Sequence, residues 1–461
     1  MAREVEVRQV GWSSVAELIP AVKGTRDFYP DDYARITWLQ DAWRRVSLRH
    51  GFREFEGPTL EYVELYTRKS GDEIVEQLFS LTDRGGRNLA MRPEMTPTLA
   101  RMVAARAGSL PKPIKWFCMP RLFRGERPQR GRLREFFQWN VDLLGVPGIV
   151  ADAECILAAV DLFREVGLAP ADVAMHINDR RLVAALLAAL GVAEDRIAAA
   201  YAILDRVGKL PIDEVERRWD EAMGGQPAFK RLWSILSTQS LADLRTRVER
   251  DGLATDALLG AVSELARLFE ILSEFDIGDY CLFDVRIVRG LAYYTGPVFE
   301  AYDRGGKLRA ICGGGRYDQL LELMGGRPLP AVGFGMGDVV LLELLSDLKR
   351  TPAIETGGGV VVADARAGRG SGAPHPSTQV LRITAALRRA GLPAEFAYEP
   401  AAIGKQLARG AERQARWAVI VGDETVARGV VQLKDLGTGR QREVQLDALL
   451  YEPANVLKAP P

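Results

Sequence analysis

Residues Phe123–Gln138 read FRGERPQRGRLREFFQ, with five arginines and two glutamates in sixteen positions. Glycine and proline gather in its middle, GERPQRG, and aromatic and branched residues lie on either side. That punctuation reads as a turn. Before it, IKWFCMPRLFR (114–124) is strand-like; after it, LREFFQWNVDLLG (133–145) reads as the antiparallel partner. Side chains alternate across a strand, so Arg134, Phe136, Gln138, Asn140 and Asp142 share one face of the second strand. A face that polar does not suit an apolar core and suggests a wet cleft. Paired guanidinium groups on adjacent strands suit phosphate, and Phe136 beside them offers a surface on which a base can stack. The plainer readings are a basic arm, or a solvated hairpin whose ion pairs carry little energy.

Composition favours a local site over a global one. The chain has 461 residues, enough for two or three domains, with 47% hydrophobic and 26% charged residues. Lys plus Arg and Asp plus Glu both number 61, so bulk charge announces no polyanion partner. The first residues, MAREVEVRQVGWSSVAEL, lack the apolar run of a secretory signal, and no run of eighteen apolar residues predicts a membrane span. Cys118, Cys155, Cys281 and Cys312 lie far apart, which argues for a reducing, cytoplasmic setting and against a disulfide frame or a zinc site. The three histidines, His50, His176 and His375, have no partners at metal-ligand spacing. Chemistry is therefore expected from arginines, carboxylates and tyrosines, with no metal held by protein side chains alone.

Outward from the arginine stretch, residues 33–50 have helical spacing and end before Gly51. A helix is expected over about 150–167, and Ala/Leu-rich helical sequence over about 178–276. Gly-rich, strand-like sequence then resumes in CLFDVRIVRGLAYYTGPVFEAYD (281–303), LRAICGGGRYDQLLELMGG (308–326) and AVGFGMGDVVLLELL (331–345). Past KRTPAIETGGG, strands and helices alternate as in a small α/β domain.

Two more segments concentrate functional residue types. In LAMRPEMTPTLARM (89–102), Glu94 and Thr96 sit where a strand passes into a helix, and a helix cap at Thr96 is the plainer reading. In VRGLAYYTGPVFE (288–300), Arg289 precedes a glycine and Tyr293 and Tyr294, where an ordinary bulged strand is the plainer reading.

Together these segments resemble histidyl-tRNA synthetase, a class II aminoacyl-tRNA synthetase. KGTRDFYP (23–30) and the region up to PEMT (93–96) are similar to the family's N-terminal part and motif 1. FRGERPQRGRLREFFQ resembles motif 2, RGLAYYTG (289–296) the histidine signature, and residues 403–439 the anticodon-binding domain. The likeness runs from about residue 22 to 448. It implies an α+β fold: an antiparallel-sheet catalytic core with a helical insertion, plus a C-terminal α/β anticodon-binding domain. The implied boundaries are an extension at 1–21, core at 22–167 and 279–349, insertion at 168–278, linker at 350–356 and anticodon domain at 357–461.

The resemblance also implies a reaction: ATP and L-histidine form histidyl-adenylate, and the histidyl group then passes to tRNA(His). On matching positions, Arg124 and Arg289 would act at the α-phosphate as catalytic residues, Glu126 and Phe136 would hold the adenine, and Arg132 the terminal phosphates. Glu94, Thr96 and Gln138 would take the substrate ammonium, with Met95 narrowing that corner. Asp142, Tyr293, Tyr294 and Tyr317 would form the imidazole pocket. Gln129 and Arg130 would meet the tRNA acceptor end. Mg²⁺ would ride on the ATP phosphates, without zinc, and the family implies a C2 homodimer built around residues 34–65. Three positions depart from the pattern: Ala292 replaces an acidic residue, Met95 a glycine, and Val340 the motif 3 arginine that grips the ATP tail. A non-catalytic, histidine-sensing regulatory relative is the competing reading; it predicts degraded signatures and no anticodon domain.

Overall fold

The alternating stretch becomes strand β7, Glu135–Leu144, in a computed structural model that describes residues 18–68, 77–207, 210–224, 227–288, 293–352, 354, 359–367 and 375–458. Phe137, Trp139, Val141 and Leu143 point into the main core, while Gln138, Asn140 and Asp142 alternate onto the other face. Trp139 is fully buried between Trp43, stacked at 6.3 Å, and Phe334, edge-on at 5.0 Å. Its indole N–H donates to Ser47 Oγ at 2.9 Å, so the polar end of the ring is satisfied. Trp43 and Ser47 lie on the helix Pro30–Arg49, which ends before Gly51 in the left-handed region (φ 74°).

The chain divides into two compact units, one built around residues 36–351 and one around 352–461. In the first, strands β1 (Arg53–Glu54), β5 (Ile114–Cys118), β6 (Arg121–Phe123), β7, β8 (Val173–Asp179), β9 (Cys281–Phe283), β10 (Pro297–Asp303), β11 (Cys312–Arg316) and β12 (Ala331–Gly337) form one sheet. Its order is β1-β5-β7-β12-β11-β10-β8-β9, with β6 also on β7. All pairs are antiparallel except β1–β5 and β8–β9. A three-stranded sheet, β2 (Leu60–Tyr62), β4 (Asn88–Met91) and β3 (Phe79–Thr82), stands apart from it.

Two expectations are corrected. The single strand over 114–124 is two strands, β5 and β6, in one register against β7: Cys118 faces Asn140 and Arg121 faces Phe137. The interruption falls at Met119–Pro120, because proline has no N–H for the ladder; the Pro120 carbonyl still accepts from Gln138 N at 3.1 Å. The helical insertion expected over 168–278 begins later, since β8 within that span pairs with β10 along its whole length. The alternating VAMHIND of β8 was hidden by the helical sequence that follows it. Helices then run from Arg180–Ala189 to Asp256–Glu274.

The second unit is a five-stranded sheet ordered β14 (Ala394–Phe396), β13 (Val360–Asp364), β15 (Trp417–Val421), β16 (Val430–Asp435) and β17 (Gln441–Gln445). The first three are mutually parallel and the last two antiparallel, with helices Thr378–Arg389 and Ile403–Glu412 as crossovers.

All three histidines have structural partners: His176 meets Asp284 at 2.9 Å, and His375 meets the Ala397 carbonyl at 2.8 Å. His50 lies between Asp161 at 2.9 Å and Glu154 at 3.4 Å on the helix Val150–Glu165. Burial disfavours its charge, but hydrogen bonds to Asp161 and Glu154 outweigh that and raise its pKa to about 9. The His50 hydrogen bond in turn holds Glu154 down at about 2. A raised histidine stabilises fully below its unfolded value and loses that contribution as pH climbs through the folded value. The melting temperature of the first unit is therefore expected to fall between roughly pH 6.5 and pH 9. His50→Gln should flatten that slope; an unchanged slope would show that His50 is not charged in the fold.

Candidate functional site

The polar face of β7 needs room, and the glycines of β12 supply it. A methyl group built on Gly333, directly opposite Asp142, would stand 2.2 Å from Asp142 Oδ1. One on Gly335 would stand 2.8 Å from the Gln138 amide carbon. Asp142 and Gln138 thus lie flat over a backbone that carries no side chains there. Asp142 is 4% exposed and accepts a hydrogen bond from the Tyr317 hydroxyl. Tyr293 packs against Tyr294 at 4.7 Å and meets Tyr317 edge-on at 5.9 Å. Burial, then the Asp142 charge, pushes the Tyr317 phenol well above its usual range, so it stays a donor.

Beyond Gln138 along the same face, Phe136 lies under Arg124, whose guanidinium carbon is 5.1 Å from the ring centroid. Arg124 Nε donates to the Pro93 carbonyl at 3.0 Å, which ties β6's end to the segment carrying Glu94, Met95 and Thr96. Burial depresses the pKa of Arg124; Glu94 and Glu126 oppose that, and Arg132 and Tyr293 are also within its electrostatic reach. Arginine remains charged through such shifts. Glu94 is 8% exposed and Met95 1%, packed with Cys118, Leu122, Phe55 and Phe136. Thr96 begins the helix Thr96–Arg106; the capping position is Met95, with no side-chain cap, so the plainer reading of Thr96 as the cap is set aside.

The turn following Arg124 is a tight one. Gln129 and Arg132 exchange backbone hydrogen bonds at 2.9 Å around Gly131, whose φ of 72° suits glycine. Arg132 pairs with Glu126. Arg130 pairs with Asp347 at 3.0 Å and Glu343 at 3.4 Å, both on the helix Asp338–Asp347. Arg134 is structural: its Nε donates to the Glu126 carbonyl and its Nη1 to the Lys23 carbonyl, at 3.0 and 3.3 Å. Asp338, fully buried, accepts from Phe137 N at 3.0 Å and pairs with Arg26 at 2.7 Å.

The site thus gathers Glu94, Met95, Arg124, Glu126, Arg132, Phe136, Gln138, Asp142, Tyr293, Tyr294 and Tyr317, whereas Gln129 and Arg130 lie exposed at the rim. Arg289, expected on the α-phosphate, and Ala292 lie outside the described residues. Val340 is 7% exposed and packed in the main core. Among the described residues, no group of three His, Cys, Asp or Glu could hold a metal ion. Two neighbours escaped sequence reading. Arg180, buried over the Tyr201 ring at 4.1 Å, lies within electrostatic reach of Tyr294. Arg309, in the turn before β11, approaches Gly131. Neither sits in a recognisable motif; only the strand pairing brings them in.

Arg316 holds the tyrosine side of the site in place. It is 4% exposed, grips the fully buried Asp152 with Nε at 3.1 Å from both oxygens, and donates to the carbonyls of Val146 and Gly148 at 3.2 and 3.0 Å. It also reaches Asp318, which accepts from Ala331 N, so both residues flanking Tyr317 are fixed.

Comparisons with known proteins point to one family. A family model described as histidyl-tRNA synthetase matches residues 24–338, and an anticodon binding domain model matches 371–452. The chloroplastic/mitochondrial histidine–tRNA ligase of Arabidopsis thaliana is 39% identical over 428 residues, covering 93% of this chain and 85% of its own. The histidine–tRNA ligase of Opitutus terrae is 40% identical over 426 residues, covering 92% of this chain and 95% of its own. The crystal structure of histidyl-tRNA synthetase from Nostoc sp. PCC 7120 superposes with a TM-score of 0.77 at 25% identity, over 95% of this chain and 98% of that one.

Removing one partner of a buried ion pair leaves the other charge uncompensated. Arg316→Ala is expected to cost about 3–5 kcal/mol of stability in denaturant titration. A loss below about 1 kcal/mol would mean that Asp152 is not a buried anion.

Proposed function

The chain belongs to the histidyl-tRNA synthetase family, and from that premise we propose how its residues share the joining of L-histidine to tRNA. Enzymes of the family use ATP and typically a divalent metal. The observation that carries the residue assignment is the Arg124 guanidinium over the Phe136 ring at 5.1 Å, within electrostatic reach of Glu94, Glu126, Arg132 and Tyr293.

In the first step the carboxylate of histidine attacks the α-phosphate and diphosphate leaves. No protein nucleophile is needed; the work is positioning and stabilisation of phosphoryl charge. Arg124 holds the α-phosphate, and the family resemblance assigns Arg289, which lies outside the described residues, to the same group. Phe136 stacks on the adenine, Glu126 accepts from it, and Arg132 takes the terminal phosphates. Glu94, Thr96 and Gln138 accept hydrogen bonds from the substrate ammonium beside Met95. Asp142 accepts from one imidazole nitrogen, oriented by the Tyr317 hydroxyl, and Tyr293 and Tyr294 wall the ring. Magnesium keeps most of its coordination from phosphate and water, so an ion carried by ATP needs no dedicated carboxylate cage. Bound there, it would neutralise part of the triphosphate charge.

A terminal ribose hydroxyl of tRNA(His) then attacks the histidyl carbonyl and AMP leaves; the turn at Gln129 and Arg130 and the second unit would contact that tRNA. The anticodon-domain match over 371–452 supports this against a histidine-sensing regulatory relative. A homodimer is supported by Leu48, Leu60 and Tyr62, which expose 58%, 43% and 53% of their surface within residues 34–65. Four buried cysteines that form no disulfide support action in the cytoplasm, and no helix among the described residues is long and apolar enough to cross a membrane.

Histidine-dependent ATP–pyrophosphate exchange tests the assignment. Asp142→Asn is expected to raise KM for histidine about tenfold or more, with KM for ATP moved less than about twofold. Arg124→Ala should lower kcat by about 10²–10³. An Asp142 variant with an unchanged histidine KM would refute the imidazole assignment. For the dimer, sedimentation of Tyr62→Glu should show a shift toward monomer; a monomeric parent chain would rule the dimer out.

A further inference from the structure

Val340 stands where the family's motif 3 carries an arginine for the ATP tail, and its side chain is packed in the core. The space that such an arginine would reach is next to Gly131, at the tip of the arginine-rich turn. A methyl group built on Gly131 would stand 3.4 Å from Val340 Cγ2 and 3.9 Å from Arg309 Cδ. Glu343 Oε2 also stands 3.9 Å from that methyl position, so three side chains from two elements converge there. Val340 comes from the first turn of the helix Asp338–Asp347 and Arg309 from the turn between β10 and β11.

Strand pairing explains the meeting. In the antiparallel register Cys312 faces Met336, so the residues just before β11 run beside the residues just after β12. The turn that carries Arg309 is held firmly: Asp303 accepts from Lys307 N at 3.0 Å and Leu308 N at 2.9 Å, and Ile311 N donates to the Ala301 carbonyl at 2.8 Å. Arg309 itself is exposed and makes no ion pair among the described residues. Its charged neighbours are Arg132 and Glu126, and the two arginine charges disfavour one another. Glu126 is already paired with Arg132, and the nearby Glu343 with Arg130. Arg132 and Arg309 have one committed carboxylate between them, and Glu343 and Asp347 are both turned to Arg130, so the Arg309 guanidinium is the group left to meet an anion.

We propose that Arg309 grips the terminal phosphates of ATP together with Arg132, replacing from the β10–β11 turn the arginine that Val340 displaces from the helix. This rests on the ATP assignment above and extends it. Val340 supplies an apolar side to the spot and Arg309 approaches it from the neighbouring strand end. The charge is kept while its origin in the chain moves.

The full-length chain tests this in histidine-dependent ATP–pyrophosphate exchange, with calorimetric titration of ATP and AMP alongside. Arg309→Ala is expected to raise KM for ATP about tenfold, leaving KM for histidine within about twofold. AMP lacks the terminal phosphates, so its affinity should not change while that of ATP falls. Adding Val340→Arg to Arg309→Ala should recover part of the lost ATP affinity. An unchanged ATP KM, or equal losses for AMP and ATP, would overturn the proposal. If the parent chain shows no histidine-dependent exchange, the reaction assigned above fails; the ATP-against-AMP titration still decides the role of Arg309.

Discussion

A strand face lined with charged and amide side chains can be buried only if something leaves room for it and satisfies it. β7 meets that constraint through its neighbour β12, where Gly333 and Gly335 withdraw their side chains from the face that Asp142 and Gln138 cover. The opposite face of β7 is the apolar wall around Trp139. One strand therefore joins core and site. A shift of one residue in its register would turn Asp142 into the core and Trp139 into the cleft. The pocket and the stability of the first unit are not separable quantities.

The rest of the site follows from how that strand is held. Arg316 fixes the tyrosine side through Asp152 and two carbonyls, whereas Arg124 fixes the other through the Pro93 carbonyl. These arginines are alike in sequence and opposite in use. Arg316 is paired bidentately with one buried carboxylate. Arg124 is half-buried among partial counter-charges, which leaves its guanidinium able to meet an anion. Guanidinium groups tolerate both settings because they keep their charge at low dielectric.

Much of the site could be read from β7 alone, because a period of two residues separates its faces without any knowledge of partners. The tyrosines and Glu94 needed the family resemblance, since each by itself is an ordinary core or cap residue. Three features were not legible. The strand VAMHIND was masked by the helices after it, and its edge of the sheet is fixed by pairing with β10 over a hundred residues later. The role of Arg130 as an ion-pair partner of Asp347 is a contact across 217 residues. Arg309 lies in a turn of unremarkable composition, and only the β11–β12 register brings it to Gly131. Local periodicity reports which way a side chain points; it does not report what stands opposite.

Arg26 has a consequence of a different kind. Its guanidinium neutralises Asp338, which is wholly buried and also accepts the Phe137 amide, while the carbonyls of Lys23 and Gly24 accept from Arg134. A segment near the start of the chain is thus stitched to the joint between β7 and β12. For anyone trimming or fusing this protein, Lys23 marks the boundary: chain removed ahead of it leaves these bonds intact, and chain removed past Arg26 strands a carboxylate in the core.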